Sequence, residues 1–441
     1  MTRAYRHGMT IAAPTPTVNG RRLLRNLDEL AKFGADERGG VSRTGFSAAD
    51  HDARRYLLRS ARAAGLSSSV DPAGNVVVRR RVPYGRRPAL LMGSHLDSVR
   101  YGGRLDGAYG VVAAIEVMRV LAGLNQQLHY EPAAVAFANE EGALFPQPFW
   151  GSSGLTGQLD EPAAATDRDG RSIREPLRAA GGDLDRVADA AWPAGSIGAY
   201  LELHVEQGPV LEHAGVPIGV VSAITGRTVL GVRVGGVQGH AGTTPMRLRR
   251  DAVTTAARIV LAVERLAADG RCEVATVGVM SVDPNVTNVI AGEVRLAAEI
   301  RDPVAPRLAA AEAAIRLEIQ RIAEATGATC AVQTEMHVEP AGADPVLCRA
   351  IAESADELGF DHLVMPSGAG HDAQVVAKVA PIGMIFVPSR AGISHSPQEH
   401  TDDEDLVNGA EVLLHTALRL SAPGWADAGR RRADPGPLTG S

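Results

Sequence analysis

The sequence predicts an α/β fold in which one sheet domain is interrupted by a smaller unit. Three observations lead there. Short apolar runs alternate with helical periods before residue 216 and again after 338. Between them, strands and helices follow the order β-α-β-β-α-β, the ferredoxin-like unit. The 441 residues also exceed what one ordinary core holds. The expected organisation is a first segment over 1–215, an insertion over 216–338 and a closing segment over 339–441.

A flexible leader runs to about Pro16, and a helical stretch is expected over 18–66, ending near Gly65. Strands follow at 75–81 and 89–93, a helix from 108 to about 121, and a buried strand at 133–138. Residues 160–195 are polar, Ala-rich and read as helical. Residues 200–205 alternate, with Leu201, Leu203 and Val205 on one face and Glu202, His204 and Glu206 on the other. In the insertion, strands at 228–234, 274–282, 293–301 and 329–337 accompany helices at 249–268 and 304–326. A helix at 345–358, a strand at 381–387 and a helix at 403–420 close the sheet domain. A tail from about 422, with Pro, Gly and an Arg run, reads as disordered.

Composition narrows the function. Basic and acidic residues nearly cancel, 45 against 51 with net charge -6, so nucleic acid is not the expected partner and a small molecule is. The ferredoxin-like unit lacks the aromatic platform of an RNA reader. Only Lys32 and Lys378 are lysines, which leaves little scope for Schiff-base catalysis and makes arginine the carboxylate clamp. Cys272, Cys330 and Cys348 form no C-x-x-C pair, which argues against a disulfide framework and fits a reducing cytoplasm. No signal-peptide core or membrane span is expected. Neither a G-x-S-x-G elbow nor a G-x-G-x-x-G turn is present.

The chemistry lies in histidines beside carboxylates. His95 and Asp97, in Gly-Ser-His-Leu-Asp, follow a buried strand, and a period of two puts them on one side. There Asp97 is expected to fix the tautomer of a metal-bound His95 imidazole. Asp106, before a helix, reads alone as an N-cap. Glu140-Glu141 reads alone as a solvated loop, His204 as a core histidine, and His395 follows another buried strand. Together His95, Asp106, Glu141, His204 and His395 supply three imidazoles and two carboxylates. That set suits two divalent ions bridged by Asp106 at ~3.5–4 Å, with Glu140 left free as general base.

These segments carry a resemblance. GSHLDSV (93–99), GGRLDGAYGV (102–111), ANEEGALF (138–145), ELHVEQGP (202–209), GHAGTTPM (239–246), SGAGHDA (367–373) and GISHSP (392–397) resemble the dinuclear-metal amidohydrolases of the M20 peptidase clan. Within them the chain is most similar to the branch of N-carbamoyl-L-amino acid hydrolase, β-ureidopropionase and allantoate amidohydrolase. The resemblance implies a catalytic α/β/α domain with a mixed sheet and an inserted lid that also dimerises. It implies one metal on His95, Asp106 and His204 and a second on Asp106, Glu141 and His395, as Zn²⁺ or Mn²⁺, with Co²⁺ or Ni²⁺ accepted. Glu140 would take the proton of the attacking water and pass it to the leaving nitrogen. His204 stands where peptidase relatives place an acid, and so marks the carbamoyl branch. His240 would steady the oxyanion across a homodimer, Asn288 and Arg301 would bind the substrate, and Gln207 and Gly368, Ala369 and Gly370 would line the pocket. His371 and Asp372 are given structural or orienting roles. Ala291, where proline is common, and Glu299, for the usual aspartate, are departures in the specificity stretch. The expected substrate is a carbamoyl or ureido carboxylate. An aminoacylase or dipeptidase, and a non-catalytic binding protein of this fold, are the competing readings.

Overall fold

The computed structural model describes residues 15–82, 87–124 and 128–422. The expected leader and tail fall, but for their innermost residues, outside these. Helices α1 (Gly20–Ala31) and α2 (Ala48–Ala63) open the chain. The single helical stretch expected over 18–66 is therefore broken. Gly34 and Gly39 adopt positive φ between the two helices, and Val41 bridges to Gly102. Leu23, Leu27 and Leu30 bury one face of α1 in the core, and Arg22 adds an ion pair to the fully buried Glu116.

Strands β1 (Ser67–Val70), β2 (Val76–Arg79) and β3 (Ala89–His95) lead through α3 (Ala108–Ala122) to β4 (Glu131–Phe137). Short helices α4 (Trp150–Thr156) and α5 (Arg174–Ala179) precede β5 (Ile197–Val205), α6 (Val210–Ala214) and β6 (Ile218–Ile224). The helix read over 160–195 is thus broken into α5 and two short 3-10 helices, Pro162–Ala164 and Leu184–Ala190, with Gly181 at positive φ after α5. Next come β7 (Gly226–Gly235), β8 (Gly239–His240), α7 (Ala252–Ala268), β9 (Val274–Asp283), β10 (Val289–Ile290) and β11 (Glu293–Asp302). Helix α8 (Ala305–Thr326), β12 (Thr329–Val338), β13 (Ala341–Gly342), α9 (Pro345–Glu357) and β14 (His362–Ser367) follow. Helix α10 (Asp372–Val376), β15 (Ile382–Val387) and α11 (Asp403–Leu420) close the described chain.

The larger sheet is mixed, in the order β1-β2-β4-β3-β5-β15-β6-β13, with β14 beside β6. Helices α3, α9 and α11 pack on one face and α10 on the other, the three layers of an α/β/α fold. Its centre, β4-β3-β5-β15, is parallel throughout. These strands are buried on both faces, which explains their unbroken apolar runs. Gly93 is required where β3 meets β4, because a Cβ there would lie 2.0 Å from the Val135 carbonyl.

The smaller sheet is antiparallel in the order β12-β7-β11-β9, with α7 and α8 over one face. This is the ferredoxin-like arrangement that the element order predicts. The boundary read at 216 is corrected: β6 pairs with β15 in the larger sheet, so the chain enters the smaller one at Gly226. The change of pattern after Val216 marks a strand running directly on into the next sheet. No helix among the described residues is long and apolar enough to cross a membrane.

Candidate metal centre

Four neighbouring parallel strands end on one edge, the edge at which open α/β sheets bind ligands. His95 ends β3, Glu140 and Glu141 follow β4, His204 is the penultimate residue of β5, and His395 follows β15. Asp106 comes from the turn before α3. Its side chain caps no helix. Instead, Oδ1 lies 3.4 Å from His95 Nε2 and 3.2 Å from His204 Nε2, and Oδ2 lies 3.2 Å from His395 Nε2. His395 Nε2 is also 3.5 Å from Glu141 Oε1. Gly107 permits this turn, since it has φ +63 and a Cβ there would meet the His95 ring at 2.3 Å.

Two imidazoles are oriented by backbone. His95 Nδ1 lies 2.9 Å from the Asp97 carbonyl and His204 Nδ1 lies 2.8 Å from the Val205 carbonyl. Each Nδ1–H donates to its carbonyl, which turns Nε2 toward the cluster, where His204 Nε2 also accepts the Gly107 N–H at 3.1 Å. The expectation for Asp97 is thereby corrected. It steadies His95 through its carbonyl, because β3 ends at His95 and the alternation stops there. Its carboxylate instead accepts the Glu140 N–H (3.0 Å) and the Glu141 N–H (3.2 Å), holding both acids at once.

The donor set fits divalent cations. The groups His95-Asp106-His204 and Asp106-Glu141-His395 each place three ligand atoms within 4.8 Å of one another. Glu141 Oε1 is buried with no hydrogen-bond partner. Burial, then Asp106, pushes the Glu141 carboxyl up to about 7. Asp106 goes the other way: burial opposes its charge, yet the three imidazoles hold it well below the usual carboxylate range. The hydrogen bond that His395 donates to Asp106 leads in raising its imidazole to about 9. Crowded buried carboxylates that draw positive charge so strongly are relieved by a cation.

Sequence reasoning missed several residues that hold this arrangement. Buried Glu399 accepts the backbone N–H of Leu105 (2.8 Å) and of Asp106 (3.2 Å), so it sets the Asp106 turn. Ser394 Oγ links Glu399 to Asp106 Oδ2, at 3.4 and 3.3 Å. Glu202, beneath the site, accepts from Ser94 Oγ and the Ala373 N–H. Replacing Glu399 with alanine leaves two buried N–H groups unpaired, and metal affinity is expected to fall about 10–100-fold. Chelator competition measures this, and unchanged affinity would sink that role.

The remaining residues divide into two groups. A cleft of about 330 Å³ is lined by Asp106, Glu140, Glu141, His204, His395 and Gln207, and also by Ala369, Gly370, His371 and Arg301. Gln207 Nε2 donates to Asp106 Oδ2 at 3.0 Å. Gly368 acts on Arg301, its carbonyl accepting Nη1 at 2.6 Å. His371 is buried, bonds Ser367 Oγ at 2.8 Å and stands edge-on to His204, 4.7 Å between rings. Asp372 is buried behind it, and burial, then Glu202, pushes its carboxyl well up. His240 and Asn288 are not brought to the cleft. They sit exposed at the β8–β10 pair, where His240 Nδ1 accepts the Gly242 and Thr243 N–H groups, so its proton lies on Nε2.

The comparisons agree with this architecture. Residues 91–419 match the model of peptidase family M20/M25/M40. The N-carbamoyl-L-amino acid amidohydrolase of Geobacillus stearothermophilus is 38% identical over 92% of this chain and 99% of its own. The enzyme of that name from Paenarthrobacter aurescens is 39% identical over 90% and 97%. Among solved structures, an amidase of the hydantoinase/carbamoylase family from Burkholderia multivorans is 38% identical over 92% of this chain and 99% of its own, with TM-score 0.87. A three-layer sheet, a ferredoxin-like insertion and a His/Asp/Glu cluster at the parallel strand ends are accounted for together: the chain belongs to peptidase family M20/M25/M40.

Proposed function

We propose that this chain hydrolyses N-carbamoyl-L-amino acids to the amino acid, carbon dioxide and ammonia. The observation that carries the reading is a single cleft with the metal-competent cluster and Glu140 on one wall and Arg301 on another. The names of the relatives above support it. His95, Asp106 and His204 would hold one divalent ion, and Asp106, Glu141 and His395 a second. Nitrogen and oxygen donors of this kind accept Zn²⁺, Mn²⁺, Co²⁺ or Ni²⁺. Bound there, the ions lower the pKa of water and polarise the scissile carbonyl.

The protein's own groups do the rest. Glu140 accepts the proton of the attacking water at its carboxylate and returns it to the departing nitrogen. Burial outweighs the pull of His95 and, with Glu141, Asp372 and Asp97, holds the Glu140 carboxyl well above the usual range. A group so placed is fit to keep a proton between the two steps. Arg301 clamps the substrate carboxylate. His240, with its Nε2–H free to donate, and Asn288 would enter the cleft of a second copy, in a homodimer formed through the inserted sheet. Three free thiols agree with a cytoplasmic location.

The test is a product-release screen of metal-loaded protein over N-carbamoyl-L-amino acids, allantoate and N-carbamoyl-β-alanine. N-Acetyl amino acids and dipeptides serve as controls. Release from the first group supports the reading, and activity confined to the controls overturns it.

A further inference from the structure

The cleft contains a cation that this chemistry leaves idle. Arg227, near the start of β7, is the direct cross-strand partner of Arg301 on β11. Opposed residues of an antiparallel pair share a face, and both arginines line the cleft of the metal centre. Their surroundings differ. Arg301 has two oxygen partners, with Nε 2.7 Å from Glu299 Oε1 and Nη1 2.6 Å from the Gly368 carbonyl, which leave its Nη2 for a substrate. Arg227 Nη1 stays 3.6 Å from Glu299 Oε2, beyond hydrogen-bond distance. Its Nη2 rests 2.7 Å from the Met336 sulfur, a weak acceptor. Among the described residues, its five donors make no hydrogen bond to an oxygen. Its side chain is 35% exposed.

Glu299 decides how the two cations are used. Its carboxylate lies between the guanidiniums, so one substrate carboxylate spanning both would face a like charge. Two separate anionic groups, one on each arginine, can sit farther from Glu299 than one placed between them. We propose that Arg227 binds a second carboxylate, and that the chain prefers N-carbamoyl derivatives of dicarboxylic amino acids. With Arg301 on the α-carboxylate and the ureido carbon at the metal cluster, the side-chain carboxylate falls to Arg227. The inference rests on the carbamoyl-amino acid reading above.

The experiment compares kcat and KM for N-carbamoyl-L-aspartate and N-carbamoyl-L-glutamate with those for their amide isosteres, N-carbamoyl-L-asparagine and N-carbamoyl-L-glutamine. N-Carbamoyl-L-leucine is the apolar reference. The wild type is expected to favour the acids over the amides by about 10–100-fold in kcat/KM, the worth of a hydrogen bond to a charged group. Arg227→Gln should collapse that ratio toward one, mainly through KM, and Arg227→Lys should recover part of it. A wild-type ratio near one, or a ratio that survives Arg227→Gln, overturns the proposal. Turnover of N-carbamoyl-L-leucine without an acid preference defeats the Arg227 assignment alone. Failure with every N-carbamoyl substrate defeats the underlying reading as well.

Discussion

Asp106→Ala should leave a folded protein that holds little or no metal and has no measurable turnover. Three imidazoles converge on this one carboxylate, His95 and His204 on Oδ1 and His395 on Oδ2. Without it, each proposed ion keeps only two protein ligands. The loss should exceed the ~10²–10⁴-fold that removal of a general base costs. Elemental analysis of the purified variant should fall toward zero ions per chain. Asp106→Asn, which keeps the volume of the side chain, should show the same loss with an unaltered circular dichroism spectrum. If either variant retained two ions and substantial turnover, Asp106 would not be the shared ligand.

Glu140→Gln should separate chemistry from binding. The expected result is full metal content, little change in KM and kcat lower by ~10²–10⁴-fold. The backbone gives a reason to expect so clean a separation. Both Glu140 and Glu141 are held through their N–H groups by Asp97, so an amide at 140 leaves the ligand at 141 in place. Turnover that persists with metal bound would show that another group moves the proton.

The clustering of the candidate ligands is legible in the sequence because each member sits in a distinct motif near the end of an apolar run, and the parallel strands bring those ends together. What escaped was geometry between distant segments. Glu399 acts on Leu105 and Asp106 across nearly 300 residues, and no local pattern points from one to the other. Asp97 was placed beside His95 by a periodicity that ends with the strand two residues earlier. Arg227 lay just outside the strand read from 228, so its pairing with Arg301 was invisible until the register was known. The strand at 218–224 was assigned to the insertion because it runs into the first insertion strand with only Thr225 between them. His240 and Asn288 were named through family resemblance, and within one chain nothing draws them to the cleft.

The placement of the insertion has a consequence for biosynthesis. Four of the five candidate metal ligands, His95, Asp106, Glu141 and His204, leave the ribosome before the smaller sheet is made. The fifth, His395, emerges only after it, on the loop following β15, which itself must slot between β5 and β6. A nascent chain therefore carries the ligands proposed for the first ion early, and completes the set proposed for the second only after the insertion has been translated. Any product truncated before about residue 395 is left with an open, carboxylate-rich edge where the centre should be.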